Sequence, residues 1–209
     1  MSLIENLNWR YATKKFDNTK KVNDQDLETI KKALQLSASS YGLQLYKILI
    51  IEDIELREKL KPGSWGQSQI TDASHLIVFC NYADVANEHI DEYTQLKAET
   101  MNINHDNLKG YGDFIKEKMG ELDQPTKQNW TARQTYIALG NLLVACADLR
   151  IDACPMEGFD PSQYEEILGL ESRGLKAAVI ATIGYRSDED QTQHAPKVRK
   201  SFDDLFETI

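Results

Sequence analysis

The chain has 209 residues, 41% of them hydrophobic, and is long enough to bury a sizeable core as a single domain, residues 1–209. Its formal net charge of −9 argues against nucleic acid or an anionic membrane as the main partner, because both require a basic face. No stretch approaches the roughly 20 apolar residues of a membrane span, and the first residues lack the basic region and apolar core of a signal peptide. We therefore expect a cytoplasmic protein.

Hydrophobic periodicity and capping residues predict both helices and strands in the first half of the chain. The predicted elements are a helix over 3–11, a helix that begins at Asn23 or Asp24, a strand Tyr46–Ile51, a helix capped by Asp53 that ends near Lys61, and a strand over 75–80. Residues 84–121 are charged and irregular in pattern, with helical pieces. We interpret them as a helical surface excursion that can cover a site.

The second half of the chain contains an unusually apolar helix. Residues 131–149 leave almost no polar face, which predicts a central helix surrounded by protein and a candidate for part of a subunit interface. A helix near 162–168 and a strand over 176–185 follow. Helices and strands intermingle, but no strand–helix–strand unit holds a Gly-rich phosphate loop.

The segment Cys154-Pro155-Met156-Glu157-Gly158-Phe159-Asp160 has two interpretations. Gly158 lacks a Cβ, so a flat ligand can approach its N–H closely, and Pro155 stiffens the chain just before it. The alternative is an ordinary strand-to-helix turn, in which Asp160 caps a helix that begins at Pro161. The residues of this segment alone do not decide between the two.

The sequence contains no complete motif for dinucleotide binding, hydrolysis or metal chemistry. Gly110-Tyr111-Gly112 lacks the third glycine of a dinucleotide fingerprint. No Gly-x-Ser-x-Gly elbow occurs, and the four histidines have neither the His-Glu-x-x-His spacing nor the cysteine pairs of a metal site. The three cysteines are widely spaced in apolar surroundings, which is typical of buried thiols in a reducing compartment. We therefore expect no metal and a bound cofactor that supplies the chemistry.

Two basic pairs lie at opposite ends of this acidic chain. Arg10 and Lys14 stand near the start, and Lys197 and Arg199 stand near the end. If folding brings the pairs together they can bind a phosphate, because arginine grips phosphate oxygens bidentately and lysine adds a compact charge. Scattered surface charge is the alternative for each pair alone.

Six blocks of the sequence, in this order, resemble a known family. They are residues 10–17 (RYATKKFD), 37–40 (SASS) followed by Gln44, 72–75 (DASH), 140–143 (GNLL), 155–160 (PMEGFD) and 196–199 (PKVR). Together they resemble the FMN-dependent nitroreductases, in particular the branch of oxygen-insensitive NAD(P)H nitroreductases and dihydropteridine reductases. The resemblance covers nearly the whole chain. It implies an α+β fold with a mostly antiparallel central sheet surrounded by helices, in an intertwined homodimer with two FMN sites at the subunit interface.

The resemblance implies a role for residues in each part of the chain. Arg10, Lys197 and Arg199 would hold the phosphate of FMN, and the loop 155–158 would lie along one face of the isoalloxazine ring. Ser39 and its neighbours would come from the other subunit. The implied cofactor-binding residues are Arg10, Tyr11, Ala12, Lys14, Ala38, Ser39, Ser40, Gly42, Gln69, Gln134, Pro155, Met156, Glu157, Gly158, Lys197 and Arg199, with Tyr11 and Ala12 along the ribityl chain.

The same resemblance implies the catalytic residues Lys14, Glu157 and Gly158. Hydride that arrives at flavin N5 leaves negative charge over N1 and the C2 carbonyl, and a fixed cation such as Lys14 would stabilise that charge. A main-chain N–H of Glu157 or Gly158 would point at N5. In a ping-pong scheme, NADH or NADPH and then a nitroaromatic, quinone or similar flat acceptor would stack in turn on the open flavin face.

The sequence departs from the family pattern at two positions that bear on the site. Gln69 stands where a second lysine is usual near the pyrimidine end of the ring, so redox tuning would rest on Lys14. Gly42 stands where an asparagine is common, so the family pattern does not predict the acceptor preference. The candidates for the walls of the acceptor pocket are Tyr41, Trp65 and Phe114.

Two other functions fit the same residues. A specialised reductase of the same fold would act on a dihydropteridine, an enone or a halogenated compound, and would reduce nitro compounds only incidentally. A non-catalytic flavin-binding protein is the alternative from a different class. It requires that the excursion 84–121 blocks the acceptor face.

Overall fold

The computed structural model describes residues 2–209, which form one sheet and the helices around it. The α-helices are α1 (Leu3–Trp9), α2 (Asp24–Gln35), α3 (Ile54–Leu60), α4 (Gln69–Asp72), α5 (Asn87–Met101), α6 (Lys109–Gly120), α7 (Gln124–Asp148), α8 (Pro161–Leu168) and α9 (Phe202–Leu205). The strands are β1 (Tyr46–Ile51), β2 (His75–Tyr82), β3 (Asp152–Met156) and β4 (Leu175–Gly184). The predicted α+β fold is confirmed.

The strands are arranged in the order β1-β2-β4-β3, and every neighbouring pair is antiparallel. A register shift between Phe79 and Cys80 marks an irregularity in the central strand β2. At the edge of the sheet formed by β3, Ala12 makes a parallel bridge to Ala153. The N-terminal segment therefore lies beside the strand that leads into residues 157–160.

Helices cover both faces of the sheet. Successive side chains of a strand point to opposite faces, and in β2 the five side chains from Leu76 to Cys80 are fully buried. Ile77 and Phe79 pack in one core with residues of α2 and α7. Leu76 and Val78 pack in a second core with residues of α3 and α8. β3 takes part in both cores, so the loop that follows it starts from a rigid position.

Side-chain caps set the starts of several helices. Asn23 caps α2 and Asp53 caps α3, as predicted. The Asp160 carboxylate accepts a hydrogen bond of 2.9 Å from the Ser162 N–H at the start of α8. The strand-to-helix turn is thus present, and it uses Asp160 while Gly158 lies outside the helix.

The three cysteines are buried and form no disulfide, as expected for reduced thiols. Burial raises the pKa of both Cys80 and Cys146 to about 12. These thiols therefore stay protonated at neutral pH.

The helix α7 differs from its prediction in two respects. It begins at Gln124 rather than at 131, and it is not fully enclosed. Tyr136, Ile137 and Val144 are 43%, 45% and 41% exposed and recur at helical spacing. The prediction that protein surrounds this helix is therefore wrong for the single chain. No helix within residues 2–209 has the length and hydrophobicity that a membrane crossing requires.

The excursion 84–121 is more regular than its sequence suggested. Its two long helices, α5 and α6, pack on each other through Ile90 and Ile115, which are both fully buried. Leu43 and Leu45 belong to the same small core. The prediction of helical pieces is confirmed, whereas the prediction of an irregular pattern is wrong, because a third hydrophobic core orders the segment.

A buried ion pair fixes the start of β3. The Asp152 carboxylate is 4% exposed and accepts hydrogen bonds of 2.8 Å from the backbone N–H and from Nε of Arg186. We expect Asp152→Ala to lower the free energy of unfolding by about 3 kcal/mol or more, because it leaves a largely buried guanidinium without its partner. Glu28→Ala is the matched control, since it removes an exposed pair with Lys31 and should cost about 0.5 kcal/mol or less. Urea denaturation of both variants measures the difference, and equal losses would contradict the expectation.

Candidate functional site

The loop 157–160 follows β3 and is tied to the segment 63–67. The Asp160 N–H donates to the carbonyl of Gly63 over 2.7 Å, and Nε2 of Gln67 donates to the carbonyl of Gly158 over 2.8 Å. Within the loop, the Phe159 N–H donates to the carbonyl of Glu157 over 2.9 Å. Two hydrogen bonds with the segment 63–67 therefore hold the backbone of the loop in one conformation.

Gly158 is a glycine because an aromatic ring approaches it closely. A Cβ at this position would lie 2.9 Å from Cζ3 of Trp65, which is shorter than real Cβ contacts. Trp65 itself has a φ of 54° and is 74% exposed. The predicted close approach to Gly158 thus exists, and within the chain its partner is Trp65.

The carboxylate of Glu157 is engaged by a neighbouring side chain. The Tyr136 hydroxyl donates to it over 2.5 Å. Burial and this carboxylate raise the pKa of Tyr136 to about 12. The carboxylate of Glu157 is therefore oriented by a side chain of α7.

The two basic pairs from the ends of the chain meet in the structure. Nζ of Lys197 donates to the carbonyl of Arg10, which is the C-cap of α1. Burial and the charge of Arg199 lower the pKa of Arg10. Burial and the charges of Arg10 and Arg199 likewise lower the pKa of Lys197. Scattered surface charge is therefore the wrong description, and we call Arg10, Lys197 and Arg199 the basic cluster.

Lys14 and Gln69 lie near Cys154 of β3, as does Arg10 of the basic cluster. Burial raises the pKa of the Cys154 thiol, whereas the charge of Lys14, a hydrogen bond with the Gln69 side chain and the charge of Arg10 act against that rise. These three side chains therefore lie in the neighbourhood of Cys154. Gln69, where we predicted a departure from the family pattern, is 6% exposed.

An acidic residue that the sequence did not single out, Asp190, holds the backbone next to Lys14. Its carboxylate accepts hydrogen bonds of 2.7 Å from the Lys14 N–H and 3.2 Å from the Lys15 N–H. The hydroxyl of Tyr11 donates to it over 3.0 Å. No motif marks Asp190, because its two acidic neighbours in sequence, Asp188 and Glu189, are exposed and look the same.

The segment 38–44 has different neighbours from the basic cluster. The Ser40 N–H donates to Oε1 of Gln134 over 2.9 Å, and the Gln44 N–H donates to Oγ of Ser39 over 2.9 Å. Gly42 has a φ of 81°, which is a conformation that favours glycine. Ala38 is exposed. Neither of these hydrogen bonds joins the segment to a residue of the basic cluster.

Two of the three predicted acceptor-pocket residues lie together. Tyr41 contacts Phe114 with ring centroids 6.4 Å apart and Trp130 with ring centroids 6.3 Å apart. Trp65, the third, packs on Gly158 instead. The remaining predicted residues of the β3 edge differ in orientation: Pro155 is half-buried, whereas the Met156 side chain belongs to the core and offers only its backbone to a ligand.

Comparison with known proteins identifies the family. A model described as the nitroreductase family matches residues 7–185. A Staphylococcus epidermidis protein, provisionally named an NAD(P)H nitroreductase, is 35% identical over 217 residues, covering 100% of this chain and 97% of the relative. The chain belongs to the nitroreductase family. The predicted family is therefore confirmed, and with it the prediction that this nitroreductase is an oxidoreductase.

Solved structures confirm the predicted fold of this nitroreductase. A Bacillus subtilis protein provisionally named a nitroreductase superposes with a TM-score of 0.88 at 18% identity, covering 99% of this chain and 98% of that one. A protein from Exiguobacterium sibiricum that bears the same provisional name, crystallised with FMN, gives a TM-score of 0.84 at 17% identity, covering 100% and 98%. The family match ends before Asp190 and the basic residues of the tail.

Proposed function

We propose that this nitroreductase binds FMN and passes two electrons from NADH or NADPH to nitroaromatic, quinone or similar flat acceptors. The basic cluster is the observation that carries the proposal. In the protein alone, Arg10, Lys197 and Arg199 repel one another. Nε of Arg10 is buried and has no hydrogen-bond partner within residues 2–209. Three converging cations and an unpaired donor fit a phosphate group, which has several acceptor oxygens.

The other residues of the proposed site would contact the flavin ring. When bound, FMN would supply the two-electron chemistry, as a hydride acceptor from the nicotinamide and a donor to the acceptor substrate. Lys14 would hold positive charge near the ring edge that becomes negative on reduction. The backbone N–H groups of Glu157 and Gly158 would orient the ring, and Gln69 would contribute a neutral donor. No side-chain acid or base is required of the chain.

We propose a homodimer in which two chains complete each site. The segment 38–44 and the basic cluster have separate neighbours within one chain, so a second copy would bring them to one cofactor. An apolar surface suited to such contact exists on the exposed face of α7. The tail adds apolar side chains that are more than half exposed, namely Val198, Phe202, Leu205, Phe206 and Ile209.

The direct test of the proposed function is flavin binding followed by reduction. The purified protein should retain yellow colour, or show a thermal shift with FMN, and its flavin absorbance should bleach when NADH or NADPH is added without oxygen. Reoxidation by an acceptor in a separate mixing step would support the ping-pong scheme. If saturating FMN produces neither colour nor a thermal shift, the proposal fails.

The acceptor class is a second question about the same site. The contact of Tyr41 with Phe114 and the exposed ring of Trp65 favour flat acceptors in general. Steady-state rates with a nitroaromatic, a quinone, a dihydropteridine, an enone and a halogenated aromatic would identify a specialised reductase, as one class with a much higher kcat/KM than the rest. Flavin that stays oxidised in excess NADH and NADPH would instead indicate a non-catalytic flavin-binding protein.

A further inference from the structure

We propose that Asp190 is a positioning residue that holds Lys14 in place and joins the two basic ends of the chain into one cofactor site. The proposal rests on the proposed FMN site. It concerns a residue that lies beyond the family match, which ends at residue 185. Its basis is that one buried carboxylate makes hydrogen bonds to both parts of the site.

One carboxylate oxygen of Asp190 accepts hydrogen bonds from the N-terminal part of the site. Oδ2 accepts from the Lys14 N–H over 2.7 Å, from the Lys15 N–H over 3.2 Å and from the Tyr11 hydroxyl over 3.0 Å. These donors belong to the segment between Arg10 and Lys15. The backbone from which the Lys14 side chain projects is therefore held by this carboxylate.

The other carboxylate oxygen accepts a hydrogen bond from the C-terminal part of the site. Oδ1 accepts from the Thr192 N–H over 3.0 Å and caps the short 3₁₀ helix Gln191–His194. This helix leads directly into the segment that carries Lys197 and Arg199. In addition, the Ser187 N–H donates to the carbonyl of Lys15 over 3.0 Å. Asp190 thus fixes where the tail leaves the body of the protein relative to Lys14.

The carboxylate is ionised in this position. Asp190 is 2% exposed. Burial alone would raise the pKa of its carboxyl group, but the hydrogen bonds from the Lys14 and Lys15 backbone, with further ones from Tyr11 and Thr192, hold the pKa below its ordinary value. An amide at this position cannot replace it, because an amide nitrogen would face backbone N–H donors.

The test compares Asp190→Asn with Asp188→Asn, which makes the same chemical change at an exposed residue two positions earlier. For Asp190→Asn we expect about tenfold or greater weakening of FMN binding, a smaller preference for FMN over riboflavin, and a more negative midpoint potential of the bound flavin. Asp188→Asn should leave all three unchanged. Fluorescence titration with FMN and riboflavin gives the affinities, and equilibration with redox dyes gives the potential.

The sign of the potential separates positioning from a simple charge effect. Loss of a nearby negative charge alone would favour the reduced flavin and raise the potential, whereas displacement of Lys14 lowers it. An unchanged or raised potential would overturn the proposal. In a protein that already carries Lys14→Met, Asp190→Asn should no longer lower the midpoint potential. If it lowers the potential as much as it does in the unaltered protein, the proposal is also overturned.

The experiment also covers an insoluble variant and a protein that binds no FMN. If Asp190→Asn is insoluble, Tyr11→Phe replaces it, because this variant keeps the carboxylate and removes one of its donors. A lower potential in Tyr11→Phe supports the proposal, and an unchanged potential overturns it. If the unaltered protein binds no FMN, the proposed function itself has failed, which is a different result from a loss confined to the variants.

Discussion

Replacing Arg10 with alanine should weaken FMN binding by about 10–100-fold while the affinity for riboflavin changes little. A hydrogen bond to a charged group contributes about 1.5–3 kcal/mol, and each 1.4 kcal/mol corresponds to about tenfold in affinity. The buried, unpaired Nε of Arg10 is the donor that a phosphate would satisfy. Riboflavin lacks the phosphate, so its binding should not depend on this donor.

The same substitution has an opposite effect on the protein without cofactor. Arg10 repels Arg199 and Lys197 in the free protein, so its removal should leave the thermal stability nearly unchanged or slightly higher. The thermal shift caused by FMN should shrink at the same time. Arg173→Ala, at an exposed arginine elsewhere on the surface, is the matched control. Equal losses of FMN and riboflavin affinity would show that Arg10 does not contact the phosphate.

Replacing Lys14 with methionine should lower the midpoint potential of the bound flavin by about 30–60 mV, with FMN affinity largely retained. A cation close to the reduced ring stabilises its negative charge by a few kcal/mol at the effective dielectric constant of a protein surface. For a two-electron couple, about 30 mV corresponds to 1.4 kcal/mol. Methionine is close to lysine in length and shape and removes the ammonium group with its charge.

The adjacent lysine offers a close control for this measurement. The Lys15 side chain is 58% exposed, and its Nζ lies 3.5 Å from Oε2 of Glu189. Lys15→Met makes the same change of charge one residue away, and its potential should stay within a few millivolts of the unaltered protein. If both variants shift equally, the effect is a general surface charge effect and Lys14 has no special place at the ring. An unchanged potential in Lys14→Met would exclude the role proposed for it.

Local patterns in the sequence predicted the elements well where a periodic apolar face and a capping residue coincide. The strand Tyr46–Ile51 and the helices capped by Asn23 and Asp53 are examples. Such elements are specified by nearby residues, through alternation of side chains and through side-chain acceptors for free N–H groups. The extent of α7 was underestimated because its first turns are polar and cannot be distinguished from a loop by apolar periodicity.

The parts of the site that depend on distant contacts were less accessible. Asp190 and Asp188 are chemically identical in the sequence, and only folding shows that one is buried against Lys14 and the other is exposed. The approach of Trp65 to Gly158 likewise joins two loops that are far apart in sequence. The basic pairs at the chain ends were recognisable as residue types, whereas their meeting required the whole fold.

The meeting of Arg10 and Lys197, 187 positions apart, has a consequence for biosynthesis. A ribosome makes Arg10 long before it makes Lys197 and Arg199, the other two cations of the proposed phosphate site. The full cluster therefore cannot form on the nascent chain until Lys197 and Arg199 have been translated, which places completion of the proposed site late in synthesis. For the same reason, a truncation just before Lys197 would remove two of the three cations of the basic cluster while leaving the sheet intact.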